Sequence, residues 1–122
     1  MERKYLDEWK RALDFINAVK NNLKVGDFKT AANREYFALE SAVVCCLIVK
    51  FDKELRNHQK IWELARDLDS DAYDLLRELY DLRLQADYGK ASEIVELNEK
   101  IVKDYLGKIE GVFEKFKKRY KL

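Results

Sequence analysis

Arg83, Asp87 and Tyr88 are the residues whose types and spacing most readily do chemistry in this chain. Arg83 and Asp87 stand four apart in the segment Arg83-Leu84-Gln85-Ala86-Asp87-Tyr88, so on a helix they share a face and can pair. Tyr88 is turned about 140° away from Arg83 and can reach a neighbouring surface. A second polar group, Asn33-Arg34-Glu35-Tyr36-Phe37-Ala38, opens an otherwise apolar stretch, and the single histidine, His58, falls between the two groups. A guanidinium can hold a phosphate and stabilise charge that develops on it. An imidazole can move protons near neutral pH. Other chemistries lack their parts. One His and the adjacent Cys45-Cys46 give no four-ligand spacing, so no metal site is expected. A glycine-rich phosphate loop and a Ser-His-Asp set are also absent, and no cofactor is expected.

Each of these residues also has a purely structural reading. Arg83 with Asp87 could be an exposed helix ion pair, worth about 0.3–0.5 kcal/mol. Arg34 could neutralise Asp87 or Glu40 across the core, within a polar network. Tyr88 could fill the end of a bundle with its hydroxyl at the rim. Tyr36 and Phe37 suit a core as well as a base-stacking platform, and Asn33 suits a surface or a cap. His58 could open a helix with a local hydrogen bond. Glu40, a carboxylate among apolar neighbours, needs a partner or a place at a dimer seam.

The elements that must position these groups are helices. Leu6, Trp9, Leu13, Ile16 and Leu23 recur at three- and four-residue steps, predicting a first helix over about 4–24, with Gly26 in the left-handed stop position. Asp27 is a credible N-cap for a second helix reaching about Lys50. From Tyr36 to Val49 this helix is apolar nearly all round, as expected of a helix sandwiched between others. Residues 51–57 read as a connection, with Asn57 capping a short third helix to about Asp67. Ser70 or Asp71 is expected to cap a fourth helix to Tyr88, ended by Gly89, and Ser92 to start the last. Gly107 and Gly111 lie inside that last pattern, where they would permit close helix approach or a bend. Cys45 and Cys46 point about 100° apart on a helix, which suits small core residues better than a disulfide.

With 122 residues, no proline and four glycines, the chain has one domain's length, over residues 1–122, and a composition suited to long helices. Two Trp, seven Tyr and six Phe are too many for a disordered chain. The predicted fold is all-α, an up-and-down bundle of about five helices. A net charge of +1 gives no wholesale attraction to nucleic acid, although 108–122 is locally basic and 66–81 locally acidic. The longest apolar run, Ala42–Val49, is far short of the ~20 residues that cross a bilayer. With no hydrophobic signal region at the start, a cytoplasmic protein is expected.

Asn33-Arg34-Glu35-Tyr36-Phe37-Ala38, then His58 opening a short helix, then Arg83-Leu84-Gln85-Ala86-Asp87-Tyr88-Gly89 resembles the HEPN domain (higher eukaryotes and prokaryotes nucleotide-binding). The likeness is greatest to its small stand-alone prokaryotic branch, and covers about residues 5 to 118. The resemblance implies a helical bundle that forms a homodimer. It also implies a place beside a minimal nucleotidyltransferase antitoxin in a toxin–antitoxin pair, and RNA or a nucleotide as ligand. Its active members are metal-independent ribonucleases with an Arg followed four to six residues later by His, in a cleft between subunits. On that motif Arg83 and Tyr88 are the catalytic candidates, and Asn33, Arg34, Tyr36, His58 and Asp87 the binding candidates. Tyr88 stands where the His is expected. With a pKa of about 10, a tyrosine is a poor general base at neutral pH, so His58 is the one substitute imidazole, provided its helix faces Arg83. The other reading is a catalytically silent module that pairs with the nucleotidyltransferase.

Overall fold

The computed structural model describes residues 2–88 and 97–122, with the side chains of residues 2, 3, 87 and 88 outside that description. Five helices run α1 (Glu2–Lys24), α2 (Phe28–Phe51), α3 (His58–Leu68), α4 (Ser70–Tyr88) and α5 (Glu99–Tyr120). No strand occurs among the described residues. The all-α bundle of five helices anticipated from the three- and four-residue spacing is the fold observed.

Helix α2 is its axis. Apart from Glu40, every residue from Ala38 to Ile48 is buried, because α1, α3, α4 and α5 all pack on it. Removing a side chain such as Leu39 or Leu47 from water contributes about 1.5–3 kcal/mol, and this is what holds the other helices to α2. Cys45 and Cys46 are free and fully buried, and burial raises the Cys46 thiol far above its ordinary range. They are core residues.

Short links make sequential neighbours antiparallel. Gly26, at φ +73°, takes the left-handed turn after α1, and Asp27 accepts from the Thr30 backbone N–H to cap α2. The chain therefore folds straight back, so the start of α1 meets the residues after α2: Lys4 pairs with Glu54 at 2.8 Å, and Glu8 with Arg56 at 2.9 Å. Helices α4 and α5 are likewise antiparallel, since Lys115 late in α5 pairs with Asp69 at the head of α4. Asn57 caps α3 as the sequence suggests, accepting from the Lys60 backbone N–H at 3.2 Å.

Two details depart from the sequence reading. Asp69, not Ser70 or Asp71, caps α4, accepting from the Ala72 backbone N–H at 2.9 Å. Helix α5 begins at Glu99 on an Asn98 cap, while the start expected at Ser92 and the stop expected at Gly89 lie outside the described residues. Gly107 and Gly111 are exposed with nothing within 4 Å of where a Cβ would stand, so no helix approaches closely there.

Asp69 does more than cap. Lys115 and Arg119 both reach its carboxylate, at 3.0 and 3.3 Å, fastening α5 to the α3–α4 corner. Burial alone would raise this carboxyl, but the Ala72 N–H and the two cations outweigh it and hold it below the usual range. Asp69→Ala is expected to destabilise the protein by about 1–2 kcal/mol at pH 7, through the lost cap and ion pairs. The depressed carboxyl stabilises the fold above its unfolded pKa and stops doing so as the pH falls through its folded value. Urea melts at pH 7 and pH 3 should therefore show the variant's deficit shrinking in acid.

Candidate functional site

The site is built on the N-terminal half of α2, the first turns of α3 and the second half of α4. Tyr36 and Glu40 lie four apart on α2 and so share a face, directed at α3. The fully buried Tyr36 hydroxyl donates to Glu40 Oε2 at 2.5 Å and accepts from Trp62 Nε1 at 3.2 Å. His58 Nδ1 donates to the same Glu40 oxygen at 2.5 Å and lies 3.2 Å from the Tyr36 hydroxyl. One carboxylate thus orders a tyrosine, an imidazole and, through the tyrosine, an indole. Burial first, then the hydrogen bond to Glu40, drives the Tyr36 phenol far above its ordinary range, so it remains a donor at any working pH. With Nδ1 committed to Glu40, Nε2 is the histidine nitrogen left for a ligand.

Aromatic rings join this network to Arg83. Tyr80 packs edge-on against Tyr36 (5.5 Å between ring centres) and Trp62 (4.9 Å). The His58 ring lies 5.6 Å from Tyr36 and 6.0 Å from Tyr80. The Arg83 guanidinium carbon lies 5.7 and 5.8 Å from the same two rings, and 5.0 Å from Phe37. Each such cation–ring contact is worth about 0.5–1 kcal/mol at exposed sites and more where water is excluded. The α3 helix does face Arg83, across a layer of tyrosine.

Of the residues singled out from sequence, the fold brings together Arg83, His58 and Tyr36. Glu40, read as an acid in want of a partner, has two. Tyr36 contributes in a different way than a base-binding platform would: with no exposed surface it offers no ring face to a nucleobase, only its hydroxyl to the network. Arg34 does not pair with Glu40, and its guanidinium donates to the neighbouring Asn33 side chain instead. The side chains of Asp87 and Tyr88 lie outside the described residues.

Trp62 and Tyr80 were missed as members of the site. The signal was present as spacing: His58, Trp62 and Arg66 fall at four-residue steps on α3, and Tyr73, Arg77 and Tyr80 at steps of four and three on α4. Two amphipathic stripes of aromatic and cationic residues on adjacent helices face one another, and this requires α3 to pack on α4, which no single-helix pattern reveals.

No group of three or more His, Cys, Asp or Glu among the described residues is arranged to hold a metal ion. No helix among them is long and apolar enough to cross a membrane.

The protein is an all-α, α2-centred helical bundle, with an imidazole and a guanidinium flanking one aromatic layer at the α2–α3–α4 junction. The HEPN domain family profile matches residues 5–120, nearly the whole chain. The protein belongs to the HEPN domain family. No curated protein matches it.

Proposed function

We propose that this HEPN protein binds RNA or a nucleotide through its phosphate, in a polar cleft around Arg83, Asp87 and Tyr88. It would act as a homodimer in the cytoplasm, as one component of a toxin–antitoxin system. The observation that carries this reading is that His58 and Arg83 flank the same pair of rings, Tyr36 and Tyr80, although they are 25 positions apart in the chain. Core packing alone calls for neither a histidine anchored through Nδ1 nor a guanidinium at such a place. Together they provide a cation for phosphate and a nitrogen for a proton or a hydroxyl.

Arg83→Ala is expected to weaken binding of a labelled single-stranded RNA by about tenfold, the order of one lost charge-assisted contact. Fluorescence anisotropy measures this, with a thermal melt to show that the variant is folded. Equal affinity in wild type and variant would remove Arg83 from the site.

A second reading is favoured by Tyr88, which stands where the family's motif has its histidine. In it the chain is a catalytically silent module paired with a minimal nucleotidyltransferase. Incubation of the folded protein with RNA in metal chelator separates the two. Cleavage would establish a ribonuclease, whereas intact RNA together with co-purification of the nucleotidyltransferase would support the silent module.

A further inference from the structure

Arg66 and Arg77 are the two bases in an acidic stretch, 66–81, that holds six carboxylates. Neither forms an ion pair with any of them, or with any other described acid. Both instead donate to one neutral oxygen, the Tyr73 hydroxyl, at 2.7 and 2.8 Å. Arg66 also lies over the Tyr73 ring at 4.6 Å, and Arg77 over the Trp62 ring at 5.8 Å. On an exposed helix surface with acids available in every turn, pairing with a carboxylate is the expected arrangement. Two cations converging on a phenol gather two positive charges at one point, with Asp67 and Asp74 acting on Arg66 only from beyond ion-pair distance.

That point lies in a groove of about 480 Å³ between α3 and α4, bordered by His58, Trp62, Arg66, Tyr73, Arg77 and Tyr80. The volume is within the range of small-ligand sites. The donor inventory is one-sided. A phenol oxygen that accepts from two guanidiniums has its own proton left to give, so Tyr73, Arg66 and Arg77 together present donors and no vacant acceptor. An anion with several oxygens is the complement of such a set, and a guanidinium fork matches phosphate in particular. The half-buried rings of Trp62 and Tyr80 offer aromatic surface beside it. Glu63, on the groove wall, is an acceptor for a base amino group or a ribose hydroxyl.

We propose that the α3–α4 groove is a second phosphate subsite, distinct from Arg83, in which Arg66, Arg77 and Tyr73 hold one phosphate group of a nucleotide or of single-stranded RNA. It rests on the reading that the chain handles phosphate-bearing ligands. His58 and Tyr80 border the groove, and Tyr80 also lies against Arg83, so one ring joins the two subsites.

The test uses the full chain and two probes, a labelled single-stranded oligoribonucleotide and AMP. Four proteins are compared: wild type, Arg66→Ala with Arg77→Ala, Tyr73→Phe, and Lys117→Ala with Lys118→Ala. The paired arginine variant should lose at least about tenfold in RNA affinity, and its log–log salt dependence should flatten by about one unit. Tyr73→Phe, with net charge unchanged, should lose about threefold, because the guanidiniums are no longer gathered at one point. The lysine pair removes the same charge from exposed positions on α5 and should cost less than the arginine pair. Loss of both probes assigns the subsite to phosphate from either source, and loss of RNA alone assigns it to a phosphodiester within a strand. An arginine variant that binds RNA like wild type, or a lysine variant equally impaired, overturns the subsite and leaves the broader reading standing. Failure of wild type to bind either probe overturns both.

Discussion

Glu35→Gln is expected to stabilise this protein at neutral pH, against the usual direction of core substitutions. Glu35 lies on α2 with no exposed surface, and neither of its carboxyl oxygens has a hydrogen-bond partner. Burial pushes its pKa up to about 9. Burial is the one cause at work, with no neighbouring cation to offset it. The sign follows from linkage. Below the unfolded pKa of about 4.3 the group is neutral in both states and costs nothing through titration. Above it the unfolded chain ionises while the folded chain stays protonated, so stability falls with rising pH until the folded value is passed. By pH 7 the loss is about 4 kcal/mol, a large share of a small domain's total. The amide has the same shape and does not titrate. Urea unfolding at pH 5, 7 and 9 should therefore show a gap between variant and wild type that widens with pH and levels off above about 9. Parallel curves would mean that Glu35 is charged in the folded state.

Tyr36→Phe should act on both stability and the site. Removing one oxygen leaves the Trp62 N–H without its acceptor and deprives Glu40 of one of its two donors. Leaving buried polar groups unpaired costs about 1–3 kcal/mol, with no cavity to confuse the result. The His58–Glu40 bond survives in this variant, so RNA binding should fall less than in Arg83→Ala. Denaturant midpoints and anisotropy on the same samples separate the two. A variant as stable as wild type would show that the Tyr36 hydroxyl is not the hub the distances describe. The contrast is useful because Arg83 lies against the faces of the rings and Tyr36 is tied by hydrogen bonds, although both occupy one layer.

Periodicity and capping by themselves determined most of the fold. The all-round apolar character of 36–49 required a central helix, since no single face could bury it, and Asp27 and Asn57 marked helix starts through side-chain oxygens placed to accept from the first turn. The likeness carried by Asn33–Ala38 and Arg83–Tyr88 pointed to the family through residue types alone. Tertiary structure decided which polar residues meet. Arg34 and Glu40 were plausible partners on paper, but α2 turns Glu40 towards α3, and the six residues between α2 and α3 carry His58 back to it. The choice of Asp69 over Ser70 as a cap, and the gathering of Arg66 and Arg77 on Tyr73, depend on where α3 and α5 lie against α4. Local pattern reports the face a residue occupies on its own helix. Which other face it meets is set by how the helices pack, and hydrogen bonds between helices form only after that packing is made.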